Sequence, residues 1–298
     1  MKHWIQTFRL RTLPLALSSI VLGSLVAISK GSFNVQVFYL AVLTTVLLQI
    51  LSNLANDLGD SIKGTDNENR IGPERAVQSG AISMASMKRA VVVTSVFAFA
   101  AGLALLFTAF EGLDLTSLAF LILGILAIAA ALRYTMGKNP YGYRGLGDVF
   151  VFLFFGCVGV GGSFFLHSLY WSWDVLLPAS SIGLFSAAVL NMNNMRDIEN
   201  DAASGKITLV VRLGFERARI YHQFLLILGM ACSWTYWFLN STEVAGLIFS
   251  LSFIPFIHNL LKVRRVLSPK ELEPELKRIA LGTFFFSLIF GASLILLS

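Results

Sequence analysis

The sequence predicts an all-α integral membrane protein with nine transmembrane helices in a single domain over residues 1–298. Three observations lead there. Charged residues make up 13% of the chain and apolar residues 56%, where a soluble domain carries about 25% charged. Apolar runs long enough to cross a bilayer recur along the whole length. Those runs also sort the basic residues onto one side. So few charges cannot build a soluble shell, and a mean hydropathy of +0.73 excludes a solvated disordered chain. Cys157 and Cys232 both lie in apolar runs, so neither a disulfide framework nor a zinc site is expected.

In chain order, the expected spans are 13–29, 35–54, 90–110, 115–132, 149–169, 176–195, 220–239, 244–261 and 279–298. The fourth stops where Arg133 follows it. Basic residues precede the first, as they precede a signal peptide, but eight further runs make the chain polytopic either way. An odd number of spans puts the termini on opposite sides. Lys2, Arg9 and Arg11 precede the first span, and alternate loops hold all the other bases except Lys30, so 22 of 23 Lys and Arg share one side. The positive-inside rule makes that side, and the N-terminus, cytoplasmic. Topology therefore accounts for the net charge of +6, and no nucleic-acid partner is implied. The outer loops are short and the inner ones long, so function is expected on the cytoplasmic face. Trp171, Trp173, Trp234 and Trp237 sit near the outer ends, as an aromatic belt does.

Two inner segments carry a repeated acidic pattern. After the second span the chain reads Asn53-Leu-Ala-Asn56-Asp57-Leu-Gly-Asp60-Ser-Ile-Lys63-Gly64-Thr-Asp66; after the sixth it reads Asn193-Asn-Met-Arg196-Asp197-Ile-Glu199-Asn-Asp201. Each has Asn four residues before its first Asp. Four spans separate them, so they mark equivalent points of two four-helix repeats, with a ninth helix added. On a helix, positions i, i+3 and i+4 share a face. Asn53, Asp57 and Asp60 would line one face, and Asn193, Asp197 and Asp201 another. Four carboxylates aimed into one cavity are tolerable if they share divalent cations, and oxygen-only ligands suit Mg²⁺, which binds through carboxylates plus substrate phosphates. No His or Cys stands beside either motif, which disfavours zinc, copper and haem. The plainer alternative is solvated loop acids beside bases; recurrence at two equivalent helix ends weighs against it.

Bases complete a diphosphate-like constellation: Lys63, Arg70 and Arg75 after the first motif, Arg196 and Lys206 around the second, and Arg133, Tyr134, Lys138 and Arg144 between the fourth and fifth spans. Lys88, Arg89, Arg217, Arg219 and Arg264–Arg265 read as topology anchors. The run Gly156-Cys-Val-Gly159-Val-Gly161-Gly162 lies inside a span and reads as close helix packing rather than a dinucleotide loop. Phe152, Phe154 and Phe155 read as lipid-facing or core, the three later histidines as packing residues, and residues 270–275 as a solvated loop.

With these motifs assembled, the sequence resembles the UbiA-type intramembrane prenyltransferases, and within them the branch that prenylates 1,4-dihydroxy-2-naphthoate. The resemblance runs through Arg11-Thr-Leu-Pro14, Asn53 to Asp66, Arg70-Ile-Gly72-Pro73-Glu-Arg75 to Gly80, Leu132-Arg133-Tyr134-Thr135, Gly142-Tyr143-Arg-Gly145-Leu-Gly147-Asp148, and Asn194-Met-Arg196-Asp197 to Gly214. It covers nearly the whole chain. In two places the chain departs from the family pattern. The third acid often found four residues after Asp60 is here Gly64, with Asp66 the substitute, and Asp148 stands where Glu is usual.

The resemblance implies a multi-pass enzyme of the bacterial plasma membrane with its active site on the cytoplasmic side. A polyprenyl group passes from its diphosphate to the naphthoate carbon that bears the carboxylate, which leaves as CO₂, giving demethylmenaquinone. Asp57, Asp60, Asp197 and Asp201 would hold Mg²⁺. Lys63, Arg70, Arg75, Lys138 and Lys206 are candidates for the departing oxygens, Asn53, Asn56 and Asn193 for orienting ligands, Tyr134 for facing the allylic cation, and Arg70 or Arg75 for the acceptor's carboxylate. Arg11, Asp66, Arg133 and Arg196 complete the expected substrate-binding set, and membrane lipid supplies the prenyl substrate. Two alternatives stay open: a sister enzyme acting on another ring such as 4-hydroxybenzoate, and a secondary transporter, which repeats favour but the cytoplasmic placing of the acids does not.

Overall fold

The computed structural model describes residues 2–67, 71, 75–241, 243–266 and 268–296. All their regular structure is helical. A short helix, α1 (Lys2–Phe8), leads through a bend at Arg9 and a 3₁₀ turn into α2 (Leu13–Ser29). Then come α3 (Val35–Lys63), α4 (Met84–Ala109) and α5 (Leu115–Arg133). The fifth span begins as α6 (Gly147–Val151), widens to a π-helix over Phe152–Gly162 and ends as α7 (Ser163–Ser168). It is followed by α8 (Leu176–Arg196), the short α9 (Ile198–Ala203) and α10 (Leu209–Leu213), and α11 (Phe215–Asn240). A 3₁₀ stretch over Val244–Phe253 runs into α12 (Ile254–Val263), and α13 (Glu273–Leu296) closes the chain.

Among the described residues, eight helices are long and apolar enough to cross a membrane, one fewer than the sequence led us to expect. The one outside that set is α11. Its 26 residues are enough, but His222, Gln223, Trp234, Tyr236 and Trp237 dilute its apolar character. It packs along α8, while α3 packs on α4 and α13 on α2. Large apolar side chains such as Val92, Val96, Phe97, Ile122 and Leu126 are exposed, as they are on a lipid-facing surface. The Gly-rich run is explained by packing: a Cβ on Gly156 would stand 2.5 Å from the Ala179 carbonyl, and one on Gly159 would stand 2.6 Å from the Ser19 Cβ. Both cysteines are free thiols.

One local feature agrees with the expected helical reading and two differ from it. First, α3 runs on past its apolar span, so the first motif is helical from Asn53 to Lys63. Gly64, in the left-handed region at φ 73°, ends it. Its backbone lets the chain double back, so that the Thr65 and Asp66 amides both bond to the Asp60 carbonyl. Second, the other motif is not one helix. The α8 helix stops at Arg196, Asp197 takes φ −100°, and α9 restarts at Ile198. The Asn, Asp and Arg side chains there compete for backbone groups, yet Asp197 still bonds back to Asn193 and Asp201 to Asp197 through their amides. Third, α13 starts at Glu273, so residues 273–275 are helix rather than solvated loop, and Glu275 is buried. A buried carboxylate needs partners, and Glu275 has them in Asn259 and Arg278.

Candidate active site

The two motif segments meet at the mouth of one cavity of about 750 Å³. Its polar end is lined by Asp60, Asp66, Arg75, Asp197, Asp201 and Lys206, among others. Its deeper walls are apolar, drawn from α2, α3, α4, α5, the fifth span and α8, with Phe99, Leu103, Phe120, Ile128 and Val158 among them.

On the α3 side, Asp57 is 2% exposed at its side chain. It is paired with Arg9, and Arg75 Nε stands 3.5 Å from the same oxygen. Arg75 also reaches Asp66, at 3.7 Å. Asn53 donates to the Phe8 carbonyl at 3.0 Å and to Thr12 Oγ1 at 3.1 Å, which fastens the bend carrying Arg9 against α3. Asn56 lines the cavity and accepts a long bond from Thr135 Oγ1 at 3.4 Å. Asp60 accepts from the Tyr143 hydroxyl at 2.8 Å, and that hydroxyl lies 2.5 Å from Thr65 Oγ1.

On the α8 side, Arg196 grips Asp197 with two nitrogens, Nε at 2.9 Å and Nη2 at 2.5 Å, and Asn193 with Nη2 at 2.9 Å. Its remaining terminal nitrogen pairs with Glu273. Lys206 Nζ lies 3.5 Å from Asp201 and 5.7 Å from the Tyr143 ring centre, while Lys63 lies 5.2 Å from that same ring. Asn200 donates to the Thr65 carbonyl at 2.9 Å, which ties the second motif to the first.

Electrostatics follow from burial. Asp201 titrates at about 6, pushed up by burial and by Asp197 and Asp60, with Lys206 opposing. Burial works against the charge on Lys206, but Asp60 and Asp201 overcome it and hold the ammonium above the usual lysine range. Burial and the nearby Asp60 raise the Tyr143 hydroxyl. The acids of both motifs therefore sense one another across the cavity mouth.

The residues singled out from sequence divide clearly. Arg11, Asn53, Asn56, Asp60, Asp66, Arg75, Tyr134, Asn193, Arg196, Asp197, Asp201 and Lys206 all line the cavity. Asp57 sits just behind the lining, covered by its two arginines. Lys63 faces Tyr143 from outside the lining. Arg133 and Lys138 are exposed and away from the cavity, because their loop presents Tyr134, Tyr141 and Tyr143 inward instead. Arg70 lies outside the described residues. Phe154 and Phe155 line the cavity rather than facing lipid or core alone. The sequence reading did not single out Arg9, Thr65, Asn200 or Glu273. Arg9 had been visible only as a topology charge, though Arg9-Leu-Arg11 standing before Pro14 was the signal available.

Among the described residues no three acidic, His or Cys side chains form a ready-made metal cage. The donors fit a different mode. Asp201 Oδ2 is buried with no hydrogen-bond partner among the described residues, and it lines the same cavity as Asp60 and Asp197. Mg²⁺ is commonly bound through one or two carboxylates plus waters and substrate phosphates.

Comparison with known proteins agrees with this architecture. The UbiA prenyltransferase family model matches residues 16–291. The chain is 42% identical to a 1,4-dihydroxy-2-naphthoate octaprenyltransferase of Haemophilus influenzae, over 99% of this chain and 96% of that protein. It is 43% identical to the protein of that name from Escherichia coli, over 96% and 93%. Among solved structures, a UbiA homologue from Archaeoglobus fulgidus bound to GPP and Mg²⁺ superposes with a TM-score of 0.67 at 16% identity, covering 97% of this chain and 99% of that one. The chain belongs to the UbiA prenyltransferase family.

Proposed function

We propose that this chain transfers a polyprenyl group from polyprenyl diphosphate to 1,4-dihydroxy-2-naphthoate, with loss of CO₂ and diphosphate, giving demethylmenaquinol, the reduced form of demethylmenaquinone. The observation that carries this reading is the convergence of Asp60, Asp197, Asp201 and Lys206 on the polar mouth of one apolar-walled cavity. A diphosphate with a long isoprenoid tail has that same division of polarity. The acceptor is taken from the names of relatives more than 40% identical over nearly the full chain.

On this reading the diphosphate sits at the mouth, where Lys206 and Arg9 bind its oxygens. Asp60, Asp197 and Asp201, with Asp57 behind them, would hold Mg²⁺. When bound, Mg²⁺ neutralises the charge that grows on the diphosphate as the allylic C–O bond breaks. Tyr134, lining the cavity beside the acids, presents a ring face toward the allylic cation. The walls of α4, α5 and the fifth span exclude the water that would quench that cation. The electron-rich naphthoate carbon that carries the carboxylate attacks C1 of the prenyl cation. The electrons of the C–CO₂⁻ bond then return to the ring as CO₂ departs. A base whose charge is already shared suits the acceptor's carboxylate, since a tight pair would stabilise the ground state and oppose its loss. Arg75, at the cavity lining between Asp57 and Asp66, is assigned that contact.

Nine spans are proposed, with α11 as the seventh, and a cytoplasmic N-terminus in a bacterial plasma membrane. The charge partition supports this topology, and α11 has the length for it. The test is direct. Purified protein, octaprenyl diphosphate, dihydroxynaphthoate and Mg²⁺ should yield demethylmenaquinol, read by mass spectrometry as the quinol or as the quinone formed from it in air, with equimolar CO₂. Prenylation of 4-hydroxybenzoate in preference to the naphthoate would instead assign the chain to a sister activity.

A further inference from the structure

Arg196 is the most completely enclosed base at the cavity, with its side chain 3% exposed. Its three nitrogens are divided between two helix ends. Nε and Nη2 chelate Asp197, Nη2 also reaches Asn193, and Nη1 pairs with Glu273 at the start of α13. Glu273 lines the same cavity. Its neighbours are accounted for: Arg11 Nη1 lies 3.6 Å from its other oxygen but is 55% exposed, and Lys277, one turn on, is exposed. Solvent screens both of those bases far more than it screens Arg196.

The helix end that carries Glu273 is locked from behind. Pro274 follows it, and Glu275 turns inward to accept from Asn259 Nδ2 at 3.0 Å and from Arg278, with His258 Nδ1 at 3.8 Å. The Asn259 oxygen faces His222 Nε2 at 2.7 Å, and both of those side chains are fully buried. A buried chain of polar groups thus runs from α11 through α12 to the first turn of α13. Apart from His222 Nδ1, which has no hydrogen-bond partner among the described residues, its members are satisfied, and such a network favours a single arrangement. What it fixes here is the point from which Glu273 reaches the cavity.

We propose that Glu273 is a positioning residue of this site, acting on Asp197 through Arg196. An isolated Arg196–Asp197 pair would be neutral and would hold the acid's charge away from any cation. With Glu273, whose side chain is 38% exposed, sharing the guanidinium, the cluster keeps one net negative charge at the cavity mouth. Solvent screens its Glu273 end, while the Arg196–Asp197 end, 3% and 7% exposed, is screened far less. The shared grip also fixes the guanidinium plane, so Arg196 occupies two of the roughly four lone-pair positions of Asp197 and leaves the rest toward the cavity. Groups that orient metal-binding side chains from behind typically change metal affinity by about 10–100-fold when removed.

This rests on the metal reading given above, and the experiment separates the two. Mn²⁺ binding to the full chain in detergent, with a non-hydrolysable prenyl thiolodiphosphate present, is followed by the paramagnetic signal of free Mn²⁺. Wild type, Glu273→Gln and Glu273→Asp are compared, and the melting temperature of each is recorded. The expected result is that wild type binds, Glu273→Gln weakens Mn²⁺ binding by about tenfold or more, and Glu273→Asp recovers part of the loss, all melting alike. Unchanged Mn²⁺ affinity in a folded Glu273→Gln chain would overturn the proposal. So would a loss that Glu273→Asp does not recover and that tracks a lowered melting temperature, since that is a structural role. Should the Gln variant not fold, a folded Glu273→Asp chain with weakened affinity at an unchanged melting temperature supports the proposal, and one with unchanged affinity overturns it. Wild type that binds no Mn²⁺ removes the metal reading itself, and this inference with it.

Discussion

Replacing Asp57 by Asn removes one negative charge while keeping the side chain's shape. Asp57 is buried between Arg9 and Arg75, so the change leaves two guanidinium groups facing a neutral amide. Removing one partner of a buried ion pair costs about 3–5 kcal/mol. The lower figure applies here, because Arg75 keeps Asp66 at 3.7 Å and Arg9 borders the cavity. A loss of about 3 kcal/mol lowers the melting temperature but leaves the chain inserted and folded. Catalysis should suffer more. The charge that the first motif contributes toward the departing diphosphate is worth several kcal/mol. A loss of about 4 kcal/mol is roughly a thousandfold in rate. The assay is initial rate of lipid-product formation at saturating Mg²⁺, on protein whose folding is checked by thermal melting. A folded Asp57→Asn enzyme working within about threefold of wild type would refute the assignment of Asp57 to the diphosphate machinery, and would leave it as a holder of Arg9 and Arg75 alone.

The remaining predictions concern pH, topology and the acceptor. Asp201 titrates at about 6, raised by burial, so below that pH it is protonated and neutral and competes poorly for a cation; the Mg²⁺ needed for half-maximal rate should rise about tenfold per unit as pH falls below about 6, and a constant requirement from about pH 5 to 8 would contradict this. A tag after Gly112 should be labelled by impermeant reagents on intact cells and one within residues 65–78 should not, because the proposed topology puts 22 of 23 bases on the inner side; outside labelling of the second tag would reverse the orientation. Arg75→Ala should raise the naphthoate KM by about tenfold, as loss of one charge-assisted contact does, with less effect on the diphosphate KM. A change confined to the diphosphate would move Arg75 to the leaving-group side, where its contacts with Asp57 and Asp66 already put it within reach.

Much of this was legible in sequence because a bilayer imposes simple constraints. Span length, charge partition and the helical spacing of Asn53, Asp57 and Asp60 are local properties, and α3 carries all three residues as read. The second motif was read as one helix, but the backbone breaks at Asp197, where polar side chains compete with the helix. Tertiary partners were harder to see. Arg9 reaches Asp57 across 48 positions and Arg196 reaches Glu273 across 77, and no periodicity encodes such pairings. Residues 270–275 looked like a solvated loop because one Lys, three Glu and Pro274 cluster there, whereas burial of Glu275 depends on Asn259 and Arg278 being in place. Tyr143 appeared only as part of a Gly-rich run. Its role as the strut between Asp60, Thr65 and the two lysines depends on how the loop between α5 and α6 folds back.

The central claim is that the acids of both motifs serve one diphosphate. The most direct measurement is a crystal structure of the chain with a prenyl thiolodiphosphate and Mn²⁺ in place of Mg²⁺, read by the anomalous signal of manganese. The account predicts density for Mn²⁺ bridging the diphosphate to carboxylates from both segments, Asp57 or Asp60 on one side and Asp197 or Asp201 on the other, with metal–oxygen distances of about 2.0–2.3 Å. Manganese bound to one segment alone, or a diphosphate lodged away from Lys206 and both sets of acids, would contradict it.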